Sequence, residues 1–274
     1  MPAGRGRRGA PRPGPERPAP RGLGGEQVEG RQAVRELLLA GRRRVKEVWL
    51  AEEVAVEGIV GDIVDLAGEL RVPLKRVPRR RLEERARSEA PQGVLASAAP
   101  LPEDDLDRLC RAAGGPAPFL VFLDGVTDPQ NLGALLRTAE CAGATGAVLP
   151  RHRSASVTPT VAKAAAGAVE HLPLAVVPGI PAALARAREL GLWLVGLDAG
   201  GEASAFDLPV ATEPVGLVLG AEGRGLSRLT RARCDVVAAI PLQGALGSLN
   251  VAAAGALACF EVTRRRLAAA QGGD

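Results

Sequence analysis

A chain of 274 residues with 46% hydrophobic and 24% charged residues is an ordinary globular protein, long enough for two domains or one large one. Its basic character, a pI near 9.2, belongs to one end. Residues 1–22 hold six Arg and one Glu, net +5, while the whole chain is +4, so the remaining 252 residues sum to −1. Four Cys without a C-x-x-C pair, and only two His, supply neither a zinc site nor a disulfide framework. That usage fits the reducing cytoplasm, and no metal is expected.

Residues 1–23 mix Arg, Pro and Gly with no apolar core of signal-peptide length, so the expectation is a disordered tail. Residues 24–99 read as a small α/β domain. Val28 to Leu39 has helical spacing, Val45–Leu50 is a strand, Ile59–Leu70 an amphipathic helix, and Val72–Val77 and Gly93–Ala98 two further strands. Residues 100–117, with Pro100, Pro102, acidic 103–105 and Gly114-Gly115-Pro116, read as a linker with room for a short helix. From 118 to 270 the alternation is regular. Strands are expected at 119–123, 146–149, 172–176, 192–197, 215–219 and 236–240, and helices at 131–142, 158–166, 180–190 and 248–267. Such alternation means an α/β domain with a parallel sheet covered on both faces, whose ligands sit outside the carboxyl ends of the strands. Val236–Phe260 is long enough to cross a bilayer without a charge. Pro241, Gln243, Ser248 and Asn250 break it into a strand, a loop and a helix start, so no membrane partner is expected.

Three polar blocks stand beside apolar segments. The first runs from Asp124-Gly125-Val126-Thr127-Asp128-Pro129-Gln130-Asn131-Leu132-Gly133 to Arg137. The second is Leu217 to Ser227, containing Gly220-Ala221-Glu222-Gly223-Arg224-Gly225. The third is Ile240-Pro241-Leu242-Gln243-Gly244 with Ser248-Leu249-Asn250. All fall at or just after a predicted strand end, so they can converge on one pocket. Gly220, Gly223 and Gly225 allow close backbone approach and positive φ. No strand-linked G-x-G-x-x-G opens a helix, which argues against a dinucleotide-dependent dehydrogenase. Bland roles exist for each polar residue. Asn131 and Ser248 can cap helices, Arg137 can be a solvated or salt-bridged arginine, and Glu222 can be a helix-start carboxylate or the partner of Arg137.

Together the blocks resemble the three signature motifs of the SpoU (TrmH-like) branch of the SPOUT RNA ribose 2'-O-methyltransferases, with Leu242 where Met is usual. Arg153-Ser154-Ala155, Thr158-Pro159 and Gly167-Ala168-Val169-Glu170-His171 are similar to the subgroup acting on a guanosine of 23S ribosomal RNA. Gly30-x-x-Ala33-Val34-x-x-Leu37-Leu38 and Gln92-Gly93-Val94 look like that subgroup's ribosomal-protein-L30e-like substrate domain, with Pro91 where a His is usual. The resemblance implies a deep trefoil knot in the C-terminal half and a homodimer that shares its active sites. It also implies S-adenosyl-L-methionine held near Leu219, Gly220, Gly225, Ile240, Leu242, Ser248 and Leu249. Asn131, Arg137, Glu222, Ser248 and Asn250 become the catalytic set. Guanidinium is effectively never deprotonated, so Arg137 reads better as a phosphate and hydroxyl clamp than as a base.

Ribosomal RNA is the implied partner. Arg42-Arg43-Arg44 and Arg79-Arg80, with Arg153, are its candidate contacts, the bland reading being solvated loops balanced by Glu83 and Glu84. Six aromatics and no Tyr do not make a stacking platform, so phosphate contacts should dominate and weaken with salt. A transfer-RNA or thiostrepton-resistance-type methyltransferase of the same fold, or a non-catalytic RNA-binding module, are the alternatives.

Overall fold

Two sheets carry the chain, and a computed structural model describes residues 23–111, 115–152 and 156–271 of it. The expected tail up to residue 22, and Arg153, lie outside the described residues.

The small domain comprises β1 (Gln27–Glu29), α1 (Arg31–Ala40), β2 (Val45–Ala51), α2 (Ile59–Glu69), β3 (Leu74–Val77), α3 (Arg79–Arg85) and β4 (Val94–Ala98). Its mixed sheet runs β1-β4-β2-β3. Ala33, Val34, Leu37 and Leu38 form the buried stripe of α1, packed with α2 on one sheet face. The helix starts later than the spacing from Val28 implies. Val28 is a fully buried strand residue paired with Ala96, and Gly30 at φ +94° ends the strand. Because Gly30 has no side chain to cap α1, Gln92 does so from afar: its Oε1 accepts from Arg31 N at 3.0 Å. Arg79-Arg80-Arg81 is not a loop but the first turn of α3, where Arg79 and Arg80 pair with Glu83 and Glu84 at 2.8 and 2.9 Å. The other sheet face buries Trp49 under α3, with the Arg85 guanidinium 4.3 Å from its ring centre.

The large domain follows α4 (Leu106–Leu109). Its elements are β5 (Phe119–Leu123), α5 (Pro129–Cys141), β6 (Gly146–Pro150), α6 (Pro159–Ala164), β7 (Leu174–Val177), α7 (Ile180–Glu189), β8 (Trp193–Leu197), β9 (Ala203–Ser204), β10 (Val215–Leu219), α8 (Arg228–Arg231), β11 (Val236–Ala239) and α9 (Val251–Gln271). The sheet order is β7-β6-β5-β10-β8-β11-β9, and every described pairing is parallel. Alternate residues of β5 feed opposite layers. Phe119, Val121 and Leu123 face α5 and the buried side of α9, while Leu120 and Phe122 face α7. From β5 the chain winds toward β7, whereas β10 leads toward β11. The winding therefore reverses between β5 and β10, which places a ligand crevice beyond the carboxyl ends of those two strands.

Of the expected linker, residues 100–111 are packed on the fold rather than free. Leu101, Leu109 and Cys110 are buried, and Asp104 N donates to Leu174 O at 2.8 Å along the edge strand. Burial pushes the Cys110 and Cys259 thiols up to about 12 and the Cys234 thiol up to about 11, so none of the three is a ready nucleophile.

The two domains meet along motif residues. Gly167, at φ +86°, lies against α1 so closely that a Cβ there would come within 2.5 Å of the Glu36 side chain and 3.2 Å of Ala33 Cα. Beside it, Arg43 and Glu170 form a bidentate pair at 2.5 and 2.9 Å with side chains 3% and 1% exposed. Arg43 also donates to Gly25 O and Ala99 O. Arg42 reaches Glu170 O and His171 O, and Lys163 caps Ala90 O at 2.7 Å. This corrects the expectation that Arg43 contacts RNA: it is spent inside the interface, and only Arg44 of the triplet is exposed without a described partner.

Candidate active site

The β5–α5 loop is built for position. Asp128, not Asn131, caps α5, accepting from Asn131 N at 2.8 Å with Pro129 in the first turn. Asn131 sits within that turn with its carboxamide free. Its Nδ2 donates to Glu222 Oε2 at 2.9 Å, and its Oδ1 accepts from Asn250 Nδ2 at 3.0 Å. Asn250 Nδ2 also lies 3.4 Å from Glu222 Oε1. One polar side chain from each block thus joins a single hydrogen-bonded cluster. Asn250 additionally caps α9, taking Ala252 N and Ala253 N at 2.8 and 3.3 Å, so the capping role expected of Ser248 falls to Asn250.

Beside this cluster, the Gly220–Leu226 loop folds back on the end of β10. A Cβ on Gly220 would sit 2.2 Å from Gly225 C, and Gly223 and Gly225 have φ of +71° and +61°. Asp198 anchors the loop, its Oδ1 paired with Arg231 at 2.9 Å and its Oδ2 accepting from Leu226 N at 3.4 Å. The result is a cleft of about 310 Å³. Its walls include Leu219, Gly220, Gly225, Ile240, Leu242, Ser248 and Leu249, all seven residues expected around a nucleoside, together with Asp198 and Glu222. Asp198 gave no signal in the sequence, because its role depends on β8 lying next to β10.

A second groove, of about 720 Å³, runs along the carboxyl ends of β5, β6 and the start of α7. It shares Ala221, Glu222, Arg224, Gly225 and Val251 with the first cleft and has Asn131 on its wall. Two clefts meeting at an amide–carboxylate cluster can hold a donor and an acceptor against each other.

Arg137 stands apart. It is exposed, lines neither cleft, and makes no ion pair among the described residues. Six residues on from Asn131, it is about 120° around α5 and about 9 Å along it, so the two side chains leave the helix in different directions. Arg79 and Arg80 lie on the small domain, away from these clefts. Among the described residues no group of His, Cys, Asp and Glu is placed to hold a metal, and no helix is long and apolar enough to cross a membrane.

A glycine-walled cleft at the switch point of a doubly wound sheet, flanked by a second groove, is where an α/β enzyme binds its ligands. Residues 118–260 match the SpoU rRNA Methylase family, and residues 27–104 match the family described as RNA 2'-O ribose methyltransferase substrate binding. The chain belongs to the SpoU rRNA methylase family, and with it to the RNA ribose 2'-O-methyltransferases that use S-adenosylmethionine. It is 40% identical over 246 residues to the 23S rRNA (guanosine-2'-O-)-methyltransferase RlmB of Pseudomonas syringae pv. tomato, covering 89% of this chain and 97% of that one. The RlmB of Pseudomonas aeruginosa is also 40% identical, over 244 residues, covering 88% and 97%. The crystal structure of the SpoU methyltransferase AviRb from Streptomyces viridochromogenes, in complex with AdoMet, superposes with a TM-score of 0.73 at 27% identity, covering 88% and 90%.

Proposed function

We propose that this chain methylates the ribose 2'-hydroxyl of a guanosine in 23S ribosomal RNA, working in the cytoplasm as a homodimer. The observation that carries the reading is the contact of Asn131, Glu222 and Asn250 where the two clefts meet. The cleft at Gly220 suits S-adenosylmethionine: apolar Leu219, Ile240, Leu242 and Leu249 would hold its adenine, and loop backbone groups would meet its polar edges. When bound, the donor supplies an electrophilic methyl group. The chain's own residues hold the incoming hydroxyl. Glu222, oriented by both amides, accepts a hydrogen bond from it, and Asn131 fixes its direction. Most of the rate gain then comes from holding two reactants in line. Ser248 borders the cleft beside Asn250 and completes the set.

A second copy accounts for Arg137. Leu257 and Phe260 of α9 are 42% and 49% exposed, and α9 packs on α5, which carries Arg137. Covering that apolar face with a partner would bring Arg137 toward the partner's Asn131 and remove a patch that water disfavours. The trefoil knot is proposed on family membership.

Small-domain charge gives RNA its first hold, through Arg44, Arg79 and Arg80, with Arg153 and the basic tail as further contacts. The test is calorimetry. S-adenosylmethionine should bind the wild-type chain, and Gly220→Ala should bind it at least ~100-fold more weakly, because a methyl group there collides with Gly225 backbone. Binding unchanged in a folded Gly220→Ala protein would remove the donor from this cleft.

A further inference from the structure

The second groove holds a carboxylate that the methyl-transfer chemistry leaves unused. Asp124 follows β5 directly and lines the groove, half-buried. Its Oδ2 accepts from Thr230 Oγ1 at 2.5 Å, Thr230 is fully buried, and Thr230 Oγ1 is in turn 2.7 Å from Ser227 Oγ. Asp124 N is fixed to Leu219 O at 2.8 Å. Both ends of the residue are therefore held, and Oδ1 has no partner among the described residues. The next residue, Gly125, packs its backbone against Ala221, a wall common to both clefts: a Cβ on Gly125 would lie 3.4 Å from the Ala221 methyl. Asp124 and Asn131 line the same groove.

The other ionisable groups facing this groove are Asp128, His152, Glu222 and Arg224. Asp128 caps α5 through Oδ2 from an exposed position, and Glu222 is held between the two asparagines where the hydroxyl is placed. Asp124 is the half-buried carboxylate outside that cluster with an oxygen to offer. Guanine is the base whose hydrogen-bonding edge carries two adjacent donors, N1–H and the N2 amine, and no other standard base presents that pair. A fixed carboxylate accepts both.

We infer that Asp124 is the guanine-selecting residue: its carboxylate, oriented by Thr230 and Ser227, takes N1–H and the N2 amine of the target base in the groove beside Asn131. Arg224, on the wall shared by both clefts, lies where it can hold the adjoining phosphate. This inference rests on the guanosine reading above and names the residue behind it. A site built to receive two donors rejects a base that lacks them, because the carboxylate then loses water without gaining a partner.

The experiment uses one short RNA stem-loop containing the target, made with guanosine, inosine or adenosine at the methylated position. Inosine keeps N1–H and lacks the N2 amine; adenosine lacks both donors in that pattern. The wild-type chain should methylate guanosine roughly tenfold better than inosine and at least ~100-fold better than adenosine. In Asp124→Asn the amide replaces one acceptor with a donor, so the guanosine rate should fall ~100-fold or more and the guanosine-to-adenosine ratio should collapse. Thr230→Val should reduce the same ratio to a smaller degree, while S-adenosylmethionine affinity stays within a few-fold in both variants. Equal wild-type rates on guanosine and inosine would overturn the inference, whatever the variants do. So would an Asp124→Asn enzyme that is slower on all three bases by one common factor, which marks a structural role. A wild-type chain that methylates none of the three RNAs, yet methylates transfer RNA, would instead overturn the 23S reading.

Discussion

Arg137→Ala and Asn131→Ala should each abolish methyl transfer alone, and co-expressing the two should restore about a quarter of wild-type activity. The number follows from symmetry. Random pairing makes half the dimers mixed, and each mixed dimer holds one site with both residues intact and one with neither. The physical basis is the position of Arg137, exposed on α5 and lining neither cleft of its own subunit. A guanidinium that clamps phosphate and hydroxyl acts on developing charge in the transition state, so its loss lowers the rate far more than donor binding. Two inactive variants that stay inactive together, although dimeric and donor-binding, would place Arg137 in its own subunit's site or remove it from catalysis.

Glu170→Ala should be strongly destabilising. It leaves the Arg43 guanidinium buried at the domain interface with two carbonyls and no counter-charge. Breaking one side of a buried pair costs about 3–5 kcal/mol, which for a chain of this length lowers the melting temperature by about 10 °C. Replacing both partners, as Arg43→Met with Glu170→Leu, should recover most of that loss. Methylation of RNA should fall further than stability explains, because the small domain would no longer be held at one angle to the active site. A Glu170→Ala protein that melts within about 2 °C of wild type, on the order of the shift expected from a surface change, would show that the interface is wet or loose in solution.

Much of this was legible in the chain. Period-two and helical spacings located the longer strands and helices of the large domain, which are apolar runs bounded by turns, but not the two-residue β9 or the four-residue α8, and helix bounds erred by a few residues. The three polar blocks located the site because the crevice of a doubly wound sheet sits at strand ends. What stayed hidden depends on residues far apart in sequence. Arg42-Arg43-Arg44 looks like a phosphate-binding triplet, and nothing local says that its middle member pairs with Glu170, 127 residues away. Gly167 and Gln92 carry the subgroup's motif, yet here they serve close domain packing and a helix cap. The Asp124–Thr230–Ser227 chain spans 106 residues and was equally invisible. Arg266 is another case. Near the end of α9, it donates to Ala117 O, Pro118 O, Ala211 O and Glu213 O, and burial holds its guanidinium below the usual arginine value.

The most direct measurement is to incubate the purified chain with methyl-labelled S-adenosylmethionine and 23S ribosomal RNA lacking its modifications, then digest to nucleosides and identify the labelled one by mass spectrometry. Label should appear in 2'-O-methylguanosine, at no more than one per RNA molecule, and should be absent with Asn131→Ala. Label on a base nitrogen or carbon, or no label from a chain that binds both donor and RNA, would contradict the account.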